Sequence, residues 1–136
     1  MFTPEFSIAN PLIKEDALNV NPSSLALIGD AVQSLYLRTD GGLNSNDKTG
    51  KIHNRVTQCV KATTQAKVMA GLIDTLDEDE LALFKKARNL KILTSAKHAT
   101  IDEYRYATGY EALLGFYFIT NNTEKLVKFI LATTEV

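Results

Sequence analysis

The stretch Leu25-Ala26-Leu27-Ile28-Gly29-Asp30-Ala31-Val32, continuing through Gln33-Ser34-Leu35-Tyr36-Leu37, constrains this chain more than any other. Almost every position is apolar or small, strong helix formers dominate, and Pro22-Ser23-Ser24 supplies a polar start signal. The pattern predicts a helix from Ser24 to Arg38, ended by the turn cluster Asp40-Gly41-Gly42-Leu43-Asn44-Ser45-Asn46. A helix apolar on nearly every side is a buried helix, and Asp30 stands in its middle. A buried ionised carboxylate costs on the order of several kcal/mol unless it is paired, hydrogen-bonded or metal-bound. Arg38 is the nearest cation on that helix and lies too far along for an i,i+4 pair.

A second stretch repeats the problem. Ala107-Thr108-Gly109-Tyr110-Glu111-Ala112-Leu113-Leu114-Gly115-Phe116-Tyr117-Phe118-Ile119 is again apolar nearly all round, with Glu111 as its one acid. Two such helices can compensate both acids by sharing a divalent cation. Mg2+ suits the task, because it takes oxygen ligands, needs few carboxylates and keeps several waters. Gly29, Gly109 and Gly115 flank the acids and would let the helix backbones approach. The plainer alternative is that each acid accepts hydrogen bonds in a polar core network. Two acids on two such helices favour the shared cation.

These residues carry a resemblance. LALIGDAV resembles the signature of the ribonuclease III family, usually ERLEFLGDAVL, and TGYEALLG resembles its second motif, DxxEALxG. The chain is most similar to the short bacterial branch, Mini-ribonuclease III, which has a nuclease domain and no double-stranded-RNA-binding domain. The basic segment Lys85-Lys86-Ala87-Arg88-Asn89 agrees with that branch. So does Asp102-Glu103-Tyr104-Arg105-Tyr106-Ala107-Thr108, similar to its DxxxYRYST run. The likeness covers roughly Ser24 to Leu126. Where the longer signature has two upstream glutamates this chain has Ser23 and Ala26, and Thr108 replaces the first acid of DxxE. The short branch shares this reduced set, which leaves Asp30 and Glu111 as the catalytic and metal-holding carboxylates. The resemblance implies a Mg2+-dependent endoribonuclease acting on double-stranded RNA and leaving 5′-phosphate and 3′-hydroxyl ends. It also implies a homodimer with facing signature helices, and precursor 23S ribosomal RNA as substrate. No side chain in the motifs is a convincing general base, so water activation falls to the cation.

At 136 residues the chain reads as one ribonuclease III-like nuclease domain over 1–136, with residues 1–21 as an arm packed over the core. The class is all-α, a bundle of six or seven helices resembling the ribonuclease III endonuclease domain. Asn46 or Asp47 caps the second helix, Thr63 or Thr64 the third, and Thr100 or Asp102 the long helix bearing Glu111. Asp77-Glu78-Asp79-Glu80 is an acidic first turn, and Lys85, Lys86 and Arg88 close the same helix, as the helix dipole favours. Leu90 to Ala99 reads as a loop, Asn121-Asn122 ends the Glu111 helix, and Thr123 opens the last one. The single Cys59 excludes an internal disulfide and a cysteine zinc cluster. The chain shows neither a signal-peptide pattern nor an apolar run near the roughly 20 residues that span a bilayer, so the expectation is a cytoplasmic protein with no membrane partner.

The net charge of −1 hides an asymmetry. Lys48 to Ile73 holds six basic residues or histidines and no acid, and Leu81 to Ile101 repeats this with Lys85, Lys86, Arg88, Lys91, Lys97 and His98. A polarised surface suits a phosphate backbone. Lys85, Lys86, Arg88 and Lys91 are the first candidates for RNA contact, and Lys51 and Arg55 the second. Aromatic residues crowd the second motif at core spacing rather than forming stacking platforms, which favours duplex RNA over single strands. Two other classes stay open: a catalytically silent RNA-binding module of the same fold, and an all-α Mg2+ pyrophosphohydrolase acting on nucleotides. The latter usually shows ExxE pairs, and Glu78-Asp79-Glu80 has the wrong spacing for one.

Overall fold

A computed structural model describes residue 4, residues 6–91 and residues 99–136. Among these lie seven α-helices and no strand: α1 (Lys14–Ala17), α2 (Pro22–Asn44), α3 (Thr49–Val60), α4 (Ala62–Leu72), α5 (Glu78–Arg88), α6 (Ile101–Ile119) and α7 (Thr123–Ala132). The all-α expectation holds. Most of the predicted loop between α5 and α6, with Lys97 and His98, lies outside the described residues.

The core is built around α6. Its run from Ala107 to Ile119 is buried at all but Thr108, Glu111 and Phe118, as an all-round apolar helix requires. Helices α2, α4, α5 and α7 pack around it. Helix α2 lies antiparallel to α6 with its backbone almost touching. A Cβ on Gly29 would stand 1.9 Å from the Glu111 carbonyl oxygen, and one on Gly115 2.0 Å from the Leu25 carbonyl oxygen. The contacted atoms are backbone and cannot swing aside. Gly29→Ala is therefore expected to force the two helices apart and destabilise the protein by about 3 kcal/mol or more, read as a lowered denaturation midpoint. A variant of wild-type stability would show that the helices are not held at this spacing.

The described residues ahead of α2 carry the short helix α1 and pack on the core. Leu12 N–H donates to the Ile119 carbonyl at 2.8 Å, and Ile8 exchanges two hydrogen bonds with the Asn121 side chain, at 2.9 and 3.0 Å. Phe6 meets Tyr36 edge-on at 5.8 Å. Asn121 has φ 54° and turns the chain between α6 and α7.

Three boundaries differ from the sequence reading. Helix α2 begins at Pro22, capped by Asn21, and runs through Gly41 and Gly42 to Asn44. Gly41 serves packing rather than a turn, since a Cβ there would lie 2.8 Å from Ile52 of α3. The helix stops where Ser45 becomes extended and its hydroxyl donates to the Gly41 carbonyl at 2.6 Å. Neither Asn46 nor Asp47 caps α3: Lys48 holds that position, and Asp47 instead binds Arg55 at 2.6 Å and Lys51 at 3.5 Å. Only Lys61 separates α3 from α4, so Thr63 and Thr64 lie inside α4. The Thr64 hydroxyl donates to the Gln58 carbonyl at 2.7 Å and ties the two helices.

Thr100, one of the two residues read for the start of α6, caps that helix, whereas Asp77, read as part of an acidic first turn, is itself the cap of α5. Helix α6 ends at Ile119, just before Asn121-Asn122. Asp77 with Glu80, and Thr100 with Glu103, form complete capping boxes. Glu80 does more than cap. It is 2% exposed, accepts from the Tyr117 hydroxyl, and binds Lys125 at 2.9 Å, joining α5 to α6 and α7. Asp79 pairs with Lys14 at 2.9 Å. Asp79 and Glu80, two of the three acids nearest to a nucleotide pyrophosphohydrolase motif, are thus engaged in structure.

Candidate active site

The close approach at Gly29 sets Asp30 of α2 beside Glu111 of α6. The two carboxyl groups, 81 residues apart in the chain, are near enough that Asp30 acts on the ionisation of Glu111. One expectation fails here. Asp30 is exposed rather than buried. Helix α2 turns Leu25, Gly29, Val32, Gln33, Tyr36 and Leu37 inward. Leu27, Asp30, Ala31 and Leu35 face outward, with Leu27 74% and Leu35 56% exposed. Glu111 is half-buried and carries the electrostatic strain of the pair. Burial, then the hydrogen bond and charge of Asp30, push its carboxyl up to about 9, and a contact from Gln65 opposes them.

The residues standing at the family's other acid positions, Ser23, Ala26 and Thr108, add no carboxylate. The Ser23 hydroxyl donates to Asn21 at 2.8 Å in the α2 cap, and Thr108 donates back to the Tyr104 carbonyl at 3.0 Å. Among the described residues no group of three or more His, Cys, Asp or Glu side chains gathers. The site therefore offers two carboxylates.

Behind Glu111 lies a polar chain that the sequence reading did not find. Gln65 of α4 donates to Glu111 and to Gln33 of α2, and Gln33 donates to the Cys59 carbonyl and to Thr133. A signal was present. Gln33 interrupts an otherwise apolar helix and Gln65 sits among Ala66, Val68 and Met69, and a buried amide demands partners.

The RNA-contact candidates fall in two places. Lys85, Lys86 and Lys91 are exposed at and beyond the end of α5, and no ion pair among the described residues neutralises them. Arg88 lies with its guanidinium 5.8 Å from the Phe84 ring centre and donates to Asn89 at 3.3 Å. Lys51 and Arg55, on α3, are tied to Asp47. A cavity of about 1070 Å3 opens beside α3, between the C-terminal half of α2 and the start of α6. Arg55, Lys67, Asp40 and Asp102 line it, while Asp30 and Glu111 do not. No helix of the described residues is long and apolar enough to cross a membrane.

Comparison with known proteins gives a concordant result. The Ribonuclease III domain family matches residues 23–122. The chain is 38% identical to the Mini-ribonuclease 3 of a Thermoanaerobacter species, over 92% of this chain and 88% of that one. It is 37% identical to the Mini-ribonuclease 3 of Clostridium tetani, over 90% and 82%. A crystal structure of a Fusobacterium nucleatum protein superposes with a TM-score of 0.77 at 27% identity, covering 86% of this chain and 93% of the other. A domain match that takes in both α2 and α6, with such relatives along nearly the whole chain, means that this protein belongs to the ribonuclease III family, among the Mini-ribonuclease 3 enzymes, and is an endoribonuclease.

Proposed function

We propose that this endoribonuclease cuts double-stranded RNA with Mg2+ held by Asp30 and Glu111, and that it works as a homodimer on precursor 23S ribosomal RNA. The observation that carries the reading is the backbone approach of Gly29 to Glu111, which sets the two carboxyls side by side. Like groups this close strain each other unless a proton or a cation lies between them. The donor set is all oxygen, one member is solvent-accessible, and two carboxylates suffice for Mg2+ with waters in its other positions. The residues fit the ion. When bound, Mg2+ would supply positive charge at the scissile phosphodiester and lower the pKa of a water near it. Asp30 and Glu111 would hold the ion, and Asp30 lies on the solvent-exposed side of α2. The bond to the 3′-oxygen breaks, leaving 5′-phosphate and 3′-hydroxyl ends.

The exposed apolar stripe Leu27, Ala31 and Leu35 beside Asp30 supports the dimer, since a large exposed apolar patch marks an interaction surface. An isologous pair sets two copies of one site about a two-fold axis, matching the approximate dyad of duplex RNA. The likeness to Mini-ribonuclease III supports the ribosomal substrate.

Phosphate contact falls first to Lys85, Lys86, Arg88 and Lys91. Lys51 and Arg55 stay second, because Asp47 already neutralises part of their charge. Replacing Lys86 and Arg88 with Ala is expected to weaken binding to all duplexes alike and to flatten the dependence of log K on log salt by roughly one unit per lost contact. Binding measured from low to moderate salt checks this. An unchanged slope would make these residues helix-end charges only.

A further inference from the structure

The chain behind Glu111 has one polarity, and its direction is set from the far end. The Cys59 carbonyl can only accept. The Thr133 hydroxyl gives its proton to the Ile130 carbonyl at 2.6 Å, so towards Gln33 its oxygen can only accept as well. Gln33 must therefore present its NH2 to these two groups, each at 3.4 Å, and its carbonyl oxygen to α4. That oxygen needs a donor, which orients Gln65. The Gln65 Nε2 lies 2.8 Å from Gln33 Oε1 and 3.5 Å from Glu111 Oε2. Flipping either amide would set oxygen against oxygen. Gln33, Gln65 and Thr133 are 0%, 2% and 3% exposed, so water cannot substitute for a lost partner. Four segments (α2, the end of α3, α4 and the turn after α7) thus hold one N–H against one oxygen of a single carboxylate. Packing alone does not call for this, since buried amides are costly where an aliphatic side chain would serve.

We propose that Gln65 is a positioning residue for the metal site, holding Glu111 Oε2 so that Oε1 is the oxygen offered to the cation, with Gln33 and Thr133 fixing the orientation of Gln65. This rests on the reading of Glu111 as a ligand of Mg2+. Groups behind a metal ligand set its orientation, and losing one costs roughly 10–100-fold in metal affinity or activity.

The test titrates Mg2+ against the melting temperature of the RNA-free protein and measures cleavage kinetics in parallel. Gln65→Met keeps length and volume but loses both donors. It is expected to raise half-saturating Mg2+ by about 10-fold or more and to lower kcat, leaving KM for duplex RNA unchanged because Gln65 is buried. The double variant Gln33→Met/Gln65→Met removes both amides together and leaves neither unpaired against the other. It is expected to recover metal-free stability relative to Gln65→Met but to bind Mg2+ no better. Wild-type half-saturation in both variants, with only their metal-free melting temperatures lowered, would overturn the proposal and leave the chain a packing feature. Glu111→Gln separates the two levels. If it abolishes the response to Mg2+ while the Gln65 variants keep it, only the positioning role falls. If Glu111→Gln keeps the wild-type response, the metal reading falls and this proposal with it.

Discussion

Asp30→Asn and Glu111→Gln are each expected to abolish duplex cleavage while the helical fold is retained. The expected loss exceeds about 100-fold in turnover, because removing groups that merely stand behind a metal ligand already costs roughly 10–100-fold. Stability gives an independent readout. The Glu111 carboxyl is raised from 4.5 to about 9 in the folded protein. Between those values the folded state holds a proton that the unfolded chain has released. The contribution of this group to stability is therefore fully present below about pH 4.5 and is lost as pH rises towards about 9. Glu111→Gln removes the titration. Metal-free Glu111→Gln should match the wild type near pH 4.5 and melt a few degrees higher at pH 8, where about 1 kcal/mol corresponds to roughly 4 °C for a chain of this size. Asp30→Asn relieves the same contact from the other side and should be at least as stable as the metal-free wild type. Mg2+ must displace the proton, so its binding should tighten with pH up to about 9. A clear drop in melting temperature at pH 8 in both variants would instead identify the acids as members of a hydrogen-bonded core.

Leu27→Glu is expected to yield monomers that no longer cut both strands, with Asp30 and Glu111 intact. In one protomer Leu27 is 74% exposed, so a charge there is tolerated by the fold itself. Leu27, Ala31 and Leu35 recur at four-residue spacing on the outward face of α2, immediately beside Asp30. A second copy seated on that stripe would bury position 27, and an unpaired buried charge costs more than a small apolar contact returns. Sedimentation at micromolar concentration should show a dimer for wild type and a monomer for the variant, with unchanged helical content. A wild-type protein that sediments as a monomer at that concentration and still cuts both strands would contradict the dimer.

The sequence exposed more of the helical framework than of the site. Thr100 was legible as one of two cap candidates because an N-cap signal lies in the few residues beside the helix start, whereas Asp77 read as part of an acidic first turn rather than as the cap it is. The notches at Gly29 and Gly115 were legible because small residues flanked acids in helices with no other use for them. The exposure of Asp30 was not. The α2 sequence is apolar all round, and local pattern does not reveal which side meets α6 and which remains outside. Gly41 and Gly42 misled for a related reason: their turn propensity is local, whereas the contact of Gly41 with Ile52 that keeps them helical is tertiary. The Gln65 chain lay furthest out of reach. Its members are 26 to 100 residues apart, and nothing local says that two glutamines share a hydrogen bond.

The central claim is that Asp30 and Glu111 form a Mg2+-dependent centre for hydrolysis of duplex RNA. Incubating the wild-type protein with long double-stranded RNA, and separately with nucleoside triphosphates, with and without Mg2+, tests it most directly. The account predicts cleavage of the duplex into fragments with 5′-phosphate ends only when Mg2+ is present, and no turnover of the triphosphates. Duplex RNA bound but left intact in saturating Mg2+, or cleaved equally well in its absence, would contradict it.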